Sequence, residues 1–599
     1  MLGIVDSRMT KVEQMQVPIR LRSGRDLDSH SPVPKSKGPG APAGLPGSLQ
    51  RAGTAVLVEL ARELDRWRGG MRRESGFAWG RFSVAAVVMA GMLTVASAGA
   101  QEDALVVKTD NGQVRGVARD GGGARFLGIP FAQPPAGDLR WREPVPAKNW
   151  SGVRDAKSYG APCAQPDLGS WNRHDAEIGQ EDCLYLNVVT PLWPKKGHLP
   201  VMFWIHGGAN EGGTGMSDLY TAGTLADHGV VVVAVNYRLG VFGFLAHPEL
   251  TSESGHHASG NYGLMDQVLA LKWVIANIER FGGDPKNITV FGQSAGAMDT
   301  GMLMISSAKG LFQKAIQESG VPIGLPAQLG AAEEAGKRFA ASMGAPEGSG
   351  QIAYLRGIPG GELIKKLTAH EPHQRFGPDV DGWVVSKGPA ETFAKGDEAA
   401  IPLIFGTTTR EFGGGGSPDM LRARVKEMAG EFAPEVLKVY GLADGGEGTN
   451  DAVYGSVADQ MAADVAFRCP STAEGRWHSA AHHETYEYEF DHAVPGQPLA
   501  IHSTDLSFVF GFYPKEGNLA GAYAAADLKT ADQVESYFTN FAKTGNPNGT
   551  GLPVWPEFGP SAKYVKFTQS GTVEEAQDLR GAACKVYRDV VEARMKQGK

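Results

Sequence analysis

Unbroken apolar runs separated by polar, helix-spaced stretches recur along most of this chain. Residues 199–205 and 230–235 are continuous hydrophobic segments, the signature of strands covered on both faces, and 184–189 and the mainly apolar 287–291 also read as strands. Between them, residues 267–281 place Val268, Leu271, Val274, Ile275 and Ile278 on one helical face. Segments 312–316 and 401–405 continue the strand and helix alternation. Residues 105–107 and 113–116 flank the turn Asp110-Asn111-Gly112, a hairpin signal, and 126–132 follows as another strand. The pattern predicts an α/β fold: a large, mostly parallel central sheet with helices on both faces and a small N-terminal antiparallel β region. Residues 322–400 are less regular, with helices broken by Gly and Pro, as expected of an insertion that walls a binding site. There is no internal repeat and no separating linker, so residues 101–599 read as one domain.

The first hundred residues follow another pattern. Residues 29–48 are rich in Pro, Gly, Ser and Lys and hold too few large apolar side chains for a core, so 1–70 reads as a non-native or disordered extension. Met71-Arg72-Arg73, the apolar run 82–95 and Ala98-Gly99-Ala100 then follow in the order of a secretory signal peptide. A membrane anchor is the alternative, but the run is short for a span. Cleavage after Ala100 and a biological start at Met71 are the expectation, with 1–70 an artefact of upstream start assignment. The protein is then secreted or periplasmic and holds no stable membrane association after cleavage.

Composition sharpens this picture. Residues 1–100 carry 14 Lys and Arg against 8 Asp and Glu, so removing them takes the net charge from −8 to −14. An acidic chain with no basic, aromatic-interleaved cluster excludes nucleic acid as a partner. All four cysteines, Cys163, Cys183, Cys469 and Cys584, lie after residue 100. An even number in an exported chain points to disulfides, and three pairings are open; Cys163 with Cys183 and Cys469 with Cys584 is the least entangled. No CxxC or clustered histidine supports a metal, so none is expected.

The candidate chemistry centres on Gly292-Gln293-Ser294-Ala295-Gly296, between a strand and the helix-compatible residues 295–304. A serine on such a turn is held above the sheet, and the glycines let strand and helix approach. A serine hydroxyl needs an imidazole to take its proton and a carboxylate to orient that imidazole. The histidines after Ser294 are His370, His373, His478, His482, His483, His492 and His502. His478, His482 and His483 lie on a polar segment expected to be exposed; His502, in a loop before the apolar run 506–510, suits a base. Glu411 follows the strand 401–405 at the edge where α/β enzymes bind ligands; Asp379, Asp381 and Asp505 compete with it. His206-Gly207-Gly208-Ala209 follows a buried strand, and with the Ala295 N–H it can supply amides to a developing oxyanion.

These segments resemble the type-B carboxylesterases, the branch of the α/β-hydrolase fold that includes cholinesterases. The likeness runs through Phe126-Leu127-Gly128-Ile129-Pro130-Phe131-Ala132, Glu181-Asp182-Cys183-Leu184-Tyr185-Leu186-Asn187-Val188 and Asn236-Tyr237-Arg238. It continues in Gly260-Asn261-Tyr262-Gly263-Leu264-Met265-Asp266-Gln267, Phe281-Gly282-Gly283-Asp284-Pro285, the elbow, Ala542-Lys543-Thr544-Gly545-Asn546-Pro547-Asn548 and Trp555-Pro556. The resemblance implies Ser294 as nucleophile, Glu411 as acid and His502 as base. It also implies Gly208, Ala209 and Ala295 as oxyanion donors, and the Cys163–Cys183 and Cys469–Cys584 bridges.

Two positions depart from the pattern. Gln293 stands where many members carry Glu, which weakens the case for a cationic substrate. Gly-Gly-Ala replaces Gly-Gly-Gly in the oxyanion loop without removing an N–H. The expected activity is hydrolysis of small-molecule carboxylic esters through an acyl-enzyme, with no metal or organic cofactor; oligomeric state is not legible. The alternatives are an aromatic-ester (feruloyl or tannase-like) or carbamate or pyrethroid hydrolase, and a non-catalytic esterase-like binding protein.

Overall fold

The structure, a computed structural model, describes residues 105–597 except 196, 325 and 370–373. The expected extension and signal peptide (1–70 and 71–100) and the candidates His370 and His373 lie outside the described residues.

The chain opens with β1 (Val106–Lys108) and β2 (Gln113–Arg115), paired antiparallel across the Asp110-Asn111-Gly112 turn as expected. After β3 (Val117–Ala118) and β4 (Ala124–Pro130), β5 (Val153–Asp155) returns to β2 in parallel. The small opening sheet is therefore mixed, a correction to the antiparallel expectation; the long excursion before β5 lets the chain re-enter in the same direction.

The large sheet adds β6 (Tyr185–Thr190), β7 (Leu199–Ile205), β8 (Val231–Val235), β9 (Gly283–Gln293) and β10 (Lys314–Glu318). A two-stranded ribbon, β11 (Ala327–Gln328) with β12 (Asp379–Val380), belongs to the irregular insertion. The large sheet then resumes with β13 (Leu403–Thr408), β14 (Thr485–Phe490), β15 (Lys563–Phe567) and β16 (Val573–Gln577). Its eleven strands run in the order β16-β15-β14-β13-β10-β9-β7-β8-β6-β4-β3. From β15 to β8 every neighbouring pair is parallel, and the outer strands on both flanks pair antiparallel.

The continuous apolar runs are explained by two-sided burial. Val201, Phe203 and Ile205 of β7, with Val231, Val233 and Val235 of β8, enter one core; Met202, Trp204, Val232 and Ala234 enter the other. Successive side chains point to opposite faces, so a strand between two helical layers has no polar position to spare. Helix α1 (Tyr262–Asn277) starts earlier than the periodicity suggests because Tyr262, Leu264 and Met265 are also buried. It closes through a 3-10 turn at Ile278–Phe281, where Gly282 takes a left-handed φ of 94°.

Helix α2 (Ala295–Ile305) leaves the end of β9 directly. Further on come α3 (Cys469–Ala480), α4 (Leu506–Phe510), α5 (Ala525–Thr544) and α6 (Gly581–Lys596). Both disulfides are present: Cys163–Cys183, and Cys469–Cys584, which joins α3 to α6 beside a small third apolar cluster.

One consequence of the topology positions the site. β9, β10, β13 and β14 are consecutive in the sheet and parallel, so their carboxyl ends share one edge. The residues that follow them there are Ser294, Ser319, Glu411 and, on a longer loop, His502.

Candidate active site

Ser294 joins β9 to α2 with φ 57° and ψ −123°, a conformation that L-residues avoid. Main-chain contacts hold it there. Its N–H donates to the Glu318 carbonyl at 2.8 Å, and its carbonyl accepts from the Met298 N–H at 3.0 Å. A Cβ on Gly296 would sit 2.0 Å from the Ile205 carbonyl oxygen, and one on Gly292 would sit 2.5 Å from the Gly296 main chain. Only glycine permits this approach of β7, β9 and α2.

Glu411 follows β13 and is buried. Its Oε1 accepts from the Ser319 hydroxyl at 2.7 Å and from the Thr408 N–H at 2.8 Å. Its Oε2 lies 2.5 Å from Nδ1 of His502, whose own N–H reaches the Glu411 carbonyl at 3.3 Å. Two rings flank the imidazole, Phe412 at 4.3 Å and Phe467 at 4.9 Å between centroids. A carboxylate on Nδ1 places the proton there and leaves Nε2 with its lone pair. That Nε2 faces the elbow: the side-chain amide nitrogen of Gln293, the residue before Ser294, is 3.1 Å away.

The loop after β7 lies against the same turn. A Cβ on Gly207 would come within 3.0 Å of the Ser294 Cβ. Gly208, Ala209 and Asn210 all have positive φ (117°, 60° and 58°). The N–H groups of Gly208, Ala209 and Ala295 donate to no other group among the described residues.

Buried polar groups brace this loop from beneath. Asn210 donates from Nδ2 to Asp299 Oδ1 at 2.9 Å, Gln267 donates to Asp299 Oδ2 at 2.6 Å, and the Tyr237 hydroxyl lies 2.8 Å from the His206 carbonyl. Burial pushes the Asp299 carboxyl up to about 7, with the two amide donors opposing the rise. Burial also takes His206 down to about 4, so it is neutral at ordinary pH.

The structure thus brings Ser294, Glu411, His502 and the three amides into one neighbourhood. The competing carboxylates lie elsewhere or serve otherwise. Asp379 and Asp381 belong to the insertion, where the Asp379 main chain pairs with Asn261. Asp505 is buried three residues after His502 and accepts from the Tyr488 hydroxyl at 3.1 Å; burial, then the charge of Glu411, raises its pKa. Of the histidines expected to be exposed, His482 is, but His478 is fully buried against Glu398, and His483 is only partly exposed. His492 is buried, 2.8 Å from Asp527.

Sequence reasoning passed over Ser319, whose Ser-Gly after a strand reads as an ordinary turn, and the Asn210, Gln267 and Asp299 brace. Trp171, on the polar loop between Cys163 and Cys183, lies over the Gly208 loop. Its Cη2 is 3.3 Å from where a Gly208 methyl would be, and the residue remains 48% exposed.

Known proteins are similar to this one along nearly the whole described chain. The carboxylesterase family model matches residues 103–587. Fumonisin B1 esterase of Sphingopyxis macrogoltabida is 34% identical over 535 residues, 84% of this chain and 94% of the relative. Para-nitrobenzyl esterase of Bacillus subtilis is 37% identical over 476 residues, 76% of this chain and 92% of the relative. Among solved structures, a carboxylesterase of Geobacillus stearothermophilus superposes with a TM-score of 0.70 at 31% identity, covering 81% of this chain and all of the other. The chain belongs to the carboxylesterase family, has the α/β-hydrolase fold and is a carboxylic ester hydrolase.

Proposed function

We propose that Ser294, His502 and Glu411 act as nucleophile, base and acid in an acyl-enzyme mechanism on small, largely apolar carboxylic esters. The observation that carries the reading is the Glu411 Oε2 to His502 Nδ1 contact at 2.5 Å, with Nε2 turned to the elbow. Ser294 attacks the ester carbonyl while its proton passes to His502 Nε2, in place of the Gln293 amide. Glu411, fixed by Ser319 and Thr408, stabilises the imidazolium without taking its proton. The carbonyl oxygen becomes an oxyanion held by the N–H groups of Gly208, Ala209 and Ala295, each worth about 3 kcal/mol in the transition state. His502 then protonates the departing alcohol, and water activated by the same Nε2 releases the acid.

An apolar preference is supported by the rim. Phe412 and Ile501, on either side of the triad's acid and base, are about half exposed, as is Trp171, and the side chain beside the serine is the neutral Gln293. Export is supported by two disulfides, which suit an oxidising compartment. No described helix is long and apolar enough to cross a membrane. The test is covalent labelling by an organophosphonate together with a rate survey on p-nitrophenyl esters of increasing acyl length, phenolic esters and carbamates. Labelling that Ser294→Ala abolishes supports the mechanism; well-folded protein that neither labels nor turns over esters refutes it.

A further inference from the structure

We propose that Glu398, His478 and His483 form a divalent transition-metal site, with Zn2+ the ion its two imidazoles and one carboxylate suit best. Among the described residues this is the one group of three such side chains whose donor atoms converge closely enough to hold an ion. It lies far from Ser294 in the topology. Glu398 shortly precedes β13 and His483 shortly precedes β14, so they sit at the amino ends of strands whose carboxyl ends lead to Glu411 and His502.

Two of the three donor separations already suit a bound ion, and the third is a hydrogen-bonding distance that ligation would open. His478 Nδ1 is 2.7 Å from Glu398 Oε1; His483 Nδ1 is 3.3 Å from that oxygen and 3.3 Å from His478 Nδ1. Donors at the usual zinc distance in a tetrahedral shell stand about 3.3 Å apart. Proton bookkeeping points the same way. His478 Nε2 is 2.9 Å from the Ile401 carbonyl, which can only accept, so Nε2 carries hydrogen and Nδ1 of the neutral ring offers a lone pair. That is the arrangement by which metal-binding imidazoles are held in one tautomer.

Without a cation or a second proton on the ring, that lone pair would face a carboxylate oxygen at 2.7 Å. Glu398 is 2% exposed and its second oxygen, Oε2, has no hydrogen-bond partner, leaving it free for bidentate ligation. The side chains of Glu398 and His478 are sealed, whereas that of His483 is 15% exposed, giving an ion a way in. A bound ion would brace the end of α3 against the segments entering β13 and β14.

The competing arrangement is a proton in place of the ion, an imidazolium–carboxylate pair of His478 and Glu398 that has no need of His483. The full protein, without added affinity histidines, is dialysed against chelator and titrated with Co2+ and then Zn2+. The expected result is one Co2+ per chain with the intense visible bands of a tetrahedral site, displacement by Zn2+, and a Tm higher in Zn2+ than in chelator. His483→Ala should lose the bands and the Zn2+-dependent rise in Tm while hydrolysing p-nitrophenyl acetate at the wild-type rate. Wild-type protein that takes up neither ion overturns the site in favour of the proton-held pair, as does His483→Ala that still binds one ion with the same spectrum. The wild-type titration decides by itself if the variant fails to fold.

Discussion

The hydroxyl of Ser319 donates to Oε1 of Glu411 at 2.7 Å, leaving Oε2 for His502. A buried carboxylate that loses a donor loses orientation as well as stabilisation; hydrogen bonds to charged groups are worth about 1.5–3 kcal/mol. Ser319→Ala should therefore lower kcat/KM by about 10-fold or more on p-nitrophenyl esters while the protein stays folded. An unchanged rate would place the orienting role with the Thr408 N–H alone.

The backbone at Ser294 predicts a split between two inactive variants. Both Ser294→Ala and Ser294→Gly should lose about 10⁴–10⁶-fold in kcat. Alanine keeps the cost of the positive φ, about 1–3 kcal/mol, whereas glycine escapes it and gives back only about 0.5–1 kcal/mol in unfolded-chain entropy. Ser294→Gly should melt above Ser294→Ala in a scan at matched conditions; the reverse order would show an unstrained turn.

Gly208 combines a φ of 117° with a neighbour 2.1 Å from any Cβ, the Gly212 carbonyl oxygen. Gly208→Ala must displace the loop that presents the proposed amides. Losing one donor typically costs about 10²–10³-fold in kcat, so steady-state kinetics should show a kcat defect of that order with KM little changed.

Asp299 gives a pH prediction. Burial raises its folded pKa to about 7 from the ordinary aspartate value of 3.8. Between those values the folded protein binds the proton and the unfolded chain releases it, so this stabilisation is complete below about 4 and is lost as pH rises through 7. The linkage is on the order of 4 kcal/mol at most. Melting temperatures of wild type and Asp299→Asn, measured from pH 4 to 8, should differ least favourably for wild type at the alkaline end. A constant difference across that range would contradict the raised pKa.

Trp171 covers the Gly208 loop from the short disulfide loop. Trp171→Ala should raise KM for aromatic and long-acyl esters while leaving p-nitrophenyl acetate nearly unaffected, because the ring contributes contact area and no chemistry. An equal loss on all substrates would mean that the ring holds the loop in place.

The elbow was legible because its apolar strand and flanking glycines are local, and the family likeness carried Glu411 and His502 with it. Ser319 was not. Its role comes from the register that sets β10 between β9 and β13, a non-local pairing that a Ser-Gly dipeptide does not encode. His478 was misjudged for a related reason. Its neighbours on α3 include Glu474, Arg476 and Ser479, polar by composition, yet packing of α3 against the sheet and α6 buries Glu474 and His478 completely. The parallel partner of β2 was hidden likewise, because β5 returns only after a long excursion.

The close approach of Gly296 to the Ile205 carbonyl means that the proposed attacking oxygen, that of Ser294, is located by skeleton touching skeleton. Rearranging methyl groups in either hydrophobic layer has no lever on it. Enzyme redesigned for heat tolerance through those layers should therefore keep its acylation chemistry, whereas one methyl group added at that crossing would disarm it.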